Sequence, residues 1–224
     1  MAKPPVVTDT ELRHMLKVAA VTGSAPIRDV ALLYVIFGTG MMVTELASLR
    51  VDDYLKQDGR IFTDSQIRAE IANNSRVRPL YWVNEKVTGA VDEYLQVRLE
   101  QRHAITVRKA AYRGLDPDSA LFLRDDGRPF PLTKRTTAGG TVGYSCDALG
   151  DVIRRLHAQA GVDGGHALAA RRTFAVRLAQ RGYDLKNISV LLGNKSISTT
   201  KRLIDADPVT RRLRSPRLAV TLGT

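Results

Sequence analysis

Apolar residues recur at helical spacing over roughly the first fifty positions, give way to short alternating runs between 60 and 83, and return to helical spacing afterwards. Residues 1–7 read as a flexible leader, because Pro4-Pro5 prevents a helix. Thr8-Asp9-Thr10-Glu11 predicts a capped helix start, with Leu12, Met15, Leu16 and Ala19 on one face. Ser24-Ala25-Pro26 opens a second helix to about Phe37, and its almost wholly apolar stretch 31–37 belongs at the centre of the fold. Gly38-Thr39-Gly40 stops that helix, and a short one follows with Val43, Leu46, Ala47 and Leu49 inward. Residues 60–63, 66–71 and 76–83 predict three short strands, with Asn73-Asn74-Ser75 as the turn between the last two. Helical spacing resumes at Asn84, through Val87, Val91, Tyr94 and Leu95. Residues 113–143 are rich in Gly, Pro, Asp and Thr and predict a loop with one small strand at Leu121-Phe122-Leu123. Further helices are expected at about 144–161, 167–182, 184–193 and 196–204. The fold class is therefore mainly α with a small three-stranded antiparallel sheet, in one domain over residues 8–205. A basic tail, 206–224, follows with Pro208 and Pro216 and the run Arg211-Arg212-Leu213-Arg214.

Charge adds a functional direction to that outline. The 224 residues carry a net charge of +11, unevenly spread. Residues 1–100 hold 12 basic and 13 acidic side chains, whereas 101–224 hold 22 and 10. A polyanionic partner is thus expected to meet mainly the second half. No apolar run reaches the length of a membrane span, and the first residues lack the pattern of a secretory signal. A single cysteine, Cys146, precludes an internal disulfide framework and fits a reducing cytoplasm. His103, His157 and His166 are scattered, so no metal site and no cofactor are expected.

Three segments carry a resemblance. Gly38-Thr39-Gly40-Met41-Met42-Val43-Thr44-Glu45-Leu46, followed by Leu49-Arg50 and Asp52-Asp53, resembles a box that reads TG, M, R, any residue, S or T, then EL, followed by LR and an acidic pair. Arg171-Arg172-Thr173-Phe174-Ala175 resembles the end of a box built on H-x-L-R. The run 184–200, with Leu191-Leu192-Gly193-Asn194 and Thr199-Thr200, resembles a box that continues to a tyrosine three residues later. Together, in this order and with strands between the first two, they resemble the catalytic domain of tyrosine recombinases, the phage integrase family, over about residues 8–205. The helical DNA-clamping domain that precedes it in most members is expected to be missing.

The resemblance implies a chemistry in which a tyrosine attacks a DNA phosphodiester, held by two arginines, a hairpin lysine and two further side chains. Phosphoryl transfer spreads charge over oxygens, so fixed donors must surround them. Carried over one position at a time, the first arginine falls on Met42, the lysine on Ile71 and the first histidine on Leu168. The second arginine is Arg171, the second histidine falls on Asn194, and the nucleophile on Leu203. Only Arg171 is retained, and four of the five replacements are apolar. His166 does not substitute, being two residues and about 200° of helix away. Arg68 is misplaced for the lysine, and Tyr183, the last tyrosine, lies twenty residues too early. The hydroxyls of Ser196, Ser198, Thr199 and Thr200 have no neighbouring base. Met42, Ile71, Leu168 and Leu203 are expected to close one apolar plug. Arg171 is then expected either to meet DNA phosphate or to pair with Glu45 or Asp53.

The resemblance places Arg171, Arg172, Lys195, Thr199, Lys201 and Arg202 toward DNA, and the strand alternation adds Arg76 and Arg78 on one outward face. Lys134, Arg135, Arg154 and Arg155 are either DNA contacts or plain surface, and Trp82 belongs to the core. The reading is a double-stranded-DNA-binding protein of the cytoplasm, nucleoid-associated, without catalysis, serving as an accessory or regulatory factor in recombination, integration or mobile-element maintenance. Two alternatives stand beside it: an active recombinase with a rearranged site, and a module that pairs with itself or with an active recombinase.

Overall fold

The structure, a computed structural model, describes residues 4–72, 74–108, 110–136, 140 and 142–205. The basic tail and Asn73 of the expected turn lie outside the described residues. Eight helices and four short strands are described: α1 (Asp9–Ala19), α2 (Pro26–Thr39), α3 (Val43–Ser48), β1 (Asp64–Ile67), β2 (Arg78–Tyr81), α4 (Glu85–Glu100), β3 (Thr133–Thr136), β4 (Val142–Ser145), α5 (Asp147–Gln159), α6 (Ala167–Gln180), α7 (Leu185–Leu192) and α8 (Ile197–Ile204). None of the described helices is long and apolar enough to cross a membrane.

Helix starts follow their caps. Thr8 and Glu11 form the expected reciprocal capping box at α1. Asn84, Asp184 and Ser196 accept from the first turns of α4, α7 and α8. Helix α2 is the central element, with Ala31, Leu32, Leu33, Val35 and Ile36 fully buried, and it packs against α1, α4, α5 and α6. A smaller, second apolar cluster joins α6, α7 and α8 through Ala175, Ile188, Leu192 and Ile204. Trp82 lies in the main core, edge-on to Tyr54 at 4.9 Å, with its indole N–H donating to Ser65 Oγ at 3.0 Å.

The sheet departs from expectation. Instead of three strands, two separate two-stranded antiparallel sheets form, β1 with β2 and β3 with β4. Residues 60–63 turn back on the chain, where Ile61 bridges Leu55 and Phe62 N–H donates to the Tyr54 carbonyl at 2.9 Å. Strand β1 ends at Ile67, because Arg68 leaves the strand to bind Asp53 and the Ser48 carbonyl. Residues 68–72 then close a helical turn, with Ala72 N–H on the Arg68 carbonyl at 2.9 Å. The expected strand at 121–123 is reduced to bridges at Ala120 and Leu123, while the surrounding loop contains the β3–β4 hairpin.

Candidate nucleic-acid interface

Arg171 rises from α6 into the junction of three elements. Its guanidinium donates to the Gly40 carbonyl at 2.7 Å, the Leu192 carbonyl at 2.6 Å and Asn194 Oδ1 at 2.9 Å. Gly40 and Gly193 end α2 and α7 in left-handed conformations, at φ 64° and 66°. These turns leave helix-end carbonyls pointing at a cation, which suits the negative end of each helix. Asn194 in turn donates through Nδ2 to Thr200 Oγ1 at 2.9 Å, fixing its amide oxygen toward Arg171. Burial disfavours the charged form of Arg171 and brings its pKa down to about 10, with Arg78 adding to the shift and Glu45 opposing it.

Beside it lies a buried ion pair. Glu45 accepts from Arg78 at 2.6 Å, with the two side chains 3% and 2% exposed. Glu45 also accepts from the Met42 backbone N–H at 2.9 Å, capping α3. Arg78 donates its other terminal nitrogen to the Leu191 carbonyl at 2.6 Å, and Asn74 Nδ2 donates to the Gly193 carbonyl. The β1–β2 hairpin is thereby fastened to the C-terminal end of α7.

Several expected positions are corrected by this arrangement. Arg171 is buried, its terminal nitrogens donate to two carbonyls and an amide oxygen, and Glu45 stands near enough to favour its charge. Asp53 is engaged by Arg68 at 3.0 and 3.1 Å. Arg78 points inward, so it does not share an outward face with Arg76, because the strand begins only at Arg78 and pleat alternation does not extend back to 76. Arg172 is also buried, donating to the Leu203 carbonyl at 3.1 Å and to the Pro4 carbonyl. Arg155 reaches the fully buried Asp29 at 2.7 Å. Lys195, Lys201, Arg202 and Arg76 are exposed, and Thr199 is half-buried.

Met42, Ile71, Leu168 and Leu203 do not close into a single plug. Met42 and Leu168 line a surface groove of about 280 Å³ together with Val43 and Tyr144. Leu168 remains 42% exposed. Ile71 packs on the main core instead, and Leu203 on the smaller α6–α8 cluster. The Arg78–Glu45 pair escaped the sequence reading; the one available signal was Glu45 at the third position after Met42, where a carboxylate caps a helix.

The sequence profile of the phage integrase family matches residues 5–208. The chain belongs to the phage integrase family. Among the relatives of this integrase-family chain are the tyrosine recombinase XerC of Herpetosiphon aurantiacus, 31% identical over 199 residues, and the tyrosine recombinase XerD of Listeria innocua, 26% identical over 201. Each alignment covers 88% of this chain but only 55% and 57% of the respective relative. The fold is similar to the crystal structure of XerA recombinase, with a TM-score of 0.67 at 20% identity over 95% of this chain and 64% of the other. It is likewise similar to XerH site-specific recombinase bound to a palindromic difH substrate, with a TM-score of 0.63 at 20% identity over 94% of this chain and 51% of the other.

Proposed function

We propose that this integrase-family chain binds double-stranded DNA without cutting it, as an accessory or regulatory factor in DNA recombination. The observation that carries this reading is the state of the α6–α8 junction. The position of the family nucleophile holds Leu203, which packs on the small apolar cluster of α6, α7 and α8 and whose carbonyl serves Arg172. The one retained phosphate ligand, Arg171, has both terminal nitrogens bonded within the protein. Missing donors cost roughly 10²–10³ in rate each, and a missing nucleophile ends the covalent route. DNA affinity then rests on exposed cations: Lys195, Lys201, Arg202 and Arg76, with the Thr199 hydroxyl at the start of α8.

Two measurements test it together. Duplex binding is expected to weaken steeply with salt, and a nicked suicide substrate is expected to trap no covalent protein–DNA adduct. A covalent adduct formed by the chain alone refutes the absence of catalysis. No binding to duplex at low salt refutes the DNA reading.

A further inference from the structure

The β3–β4 ribbon contributes to neither apolar cluster. Every residue of β3 and the first three of β4 are exposed, and only Ser145, at the base, is half-buried. A two-stranded hairpin with no buried face is marginal in water on its own. Its composition is one-sided: Thr133, Lys134, Arg135 and Thr136 face Val142, Gly143, Tyr144 and Ser145, with no acidic residue among them. The register Lys134↔Tyr144 and Thr136↔Val142 puts those four side chains on one face. The other face is tethered, because Arg135 donates to Ser145 Oγ at 3.1 Å and pairs with Asp147 at 2.6 Å in the first turn of α5. The free face carries a cation, two hydroxyls and an apolar Val142 that is 49% exposed beside a Tyr144 that is 60% exposed.

Those groups match one kind of surface. A major groove about 12 Å wide admits a two-stranded ribbon, presents acceptors and donors on base edges, and offers thymine methyls to apolar side chains. Its phosphate walls attract lysine. Tyr144 also shares a groove with Met42 and Leu168, where the resemblance puts two of the family's phosphate ligands, so the ribbon stands beside the face that meets DNA in that family.

We propose that the β3–β4 ribbon is a DNA-reading element whose Lys134–Tyr144 face enters the major groove. This rests on the duplex-binding reading above and assigns it a groove and a set of contacts. The full chain and the double variant Lys134→Ala/Tyr144→Ala are compared on one duplex by fluorescence anisotropy at several salt concentrations, with protection of guanine N7 from dimethyl sulfate mapped for both. The wild type is expected to protect N7 positions in the major groove. The double variant is expected to lose that protection, to bind on the order of tenfold more weakly or worse, and to show a salt slope smaller by about 0.9. Its thermal unfolding is expected to match the wild type, because the ribbon lies outside both cores; Lys134→Glu, which alters one exposed side chain, supplies the same comparison independently. Wild-type binding with no N7 protection overturns the proposal, as does a double variant that binds and protects like the wild type; both leave duplex binding standing. Absence of wild-type binding removes the duplex reading itself, and the ribbon's assignment with it.

Discussion

Replacing Arg78 by methionine separates two roles for this arginine. Strand alternation pointed it outward to DNA, whereas the structure buries it against Glu45 at 2.6 Å and the Leu191 carbonyl at 2.6 Å. Methionine keeps the aliphatic stem and removes the charge. Glu45 then retains the Met42 N–H but loses this guanidinium in a site that admits almost no water. Breaking a buried pair by deleting one partner costs about 3–5 kcal/mol, and the Leu191 carbonyl loses a donor worth roughly 1 kcal/mol. The favourable influence between Glu45 and the nearby Arg171 offsets part of this. The expected loss is therefore about 3 kcal/mol, which for a chain of this size lowers Tm by roughly 6–12 °C. With a urea m-value of about 2 kcal/mol/M, the midpoint falls by ~1.5 M.

Urea unfolding of Arg78→Met, Glu45→Gln and the double variant gives the coupling directly. The double variant is expected to lose less than the sum of the singles, since it leaves neither charge facing an apolar replacement. DNA binding of Arg78→Met, measured where the variant is fully folded, is expected to match the wild type. A stability loss under about 1 kcal/mol combined with a clear drop in DNA affinity would show that Arg78 works at the surface after all, and the buried-pair reasoning fails.

Three further outcomes follow from the same geometry. Gly193→Ala is expected to destabilise by about 2–3 kcal/mol, because its φ is 66° and a Cβ there would sit 2.6 Å from Arg78 Cδ; an unchanged urea midpoint contradicts this. Lys195→Ala/Lys201→Ala/Arg202→Ala is expected to reduce the slope of log K against log salt by about 2.7 with unfolding unaltered; an unchanged slope places the DNA elsewhere on the protein. His157 is fully buried, bonds the Ile153 carbonyl at 2.7 Å and finds no partner for Nε2 among the described residues. Burial holds its pKa below the usual imidazole range, the Ile153 carbonyl opposing and His166 assisting. The unfolded chain therefore binds the extra proton first, so this contribution is complete above the unfolded histidine value of about 6.5 and is lost as pH falls through the lower folded value. His157→Leu is expected to flatten the fall in stability between pH 7.5 and pH 5; identical pH profiles refute it.

The sequence made the helices legible because their signals are local. The Thr8–Glu11 box, the Asp184 and Ser196 caps and the unbroken apolar run in α2 each declare an element without reference to anything distant. The sheet was less legible. Residues 60–63 hold an adjacent apolar, strand-favouring pair, yet Ile61 and Phe62 pack inward from a loop, so burial imitated a strand. The β3–β4 ribbon has no apolar face to alternate, and its residues resemble a loop for that reason. Whether Met42, Ile71, Leu168 and Leu203 form one plug was not legible. That depended on Ile71 leaving the strand at the Arg68 turn and on Leu203 joining a separate cluster. Arg78 failed for a related reason: its inward direction follows from a strand start, and its partner lies 33 residues earlier.

Arg171 bears on how much a surviving residue says about an activity. The resemblance puts it at one of the family's phosphate-ligand positions, and on that ground alone it would suggest chemistry. In this fold it also joins the end of α2, the end of α7 and Asn194 at the head of α8 by three hydrogen bonds. Removing it leaves two helix-terminal carbonyls buried without their donor, at roughly 1–3 kcal/mol apiece. That structural requirement holds whether or not a phosphate ever arrives, so the presence of Arg171 does not by itself argue for catalysis. An arginine that the helix ends need is held in place by the fold itself, so the proposal that this chain does not cut DNA rests on the residues at 42, 71, 168 and 203 and not on Arg171.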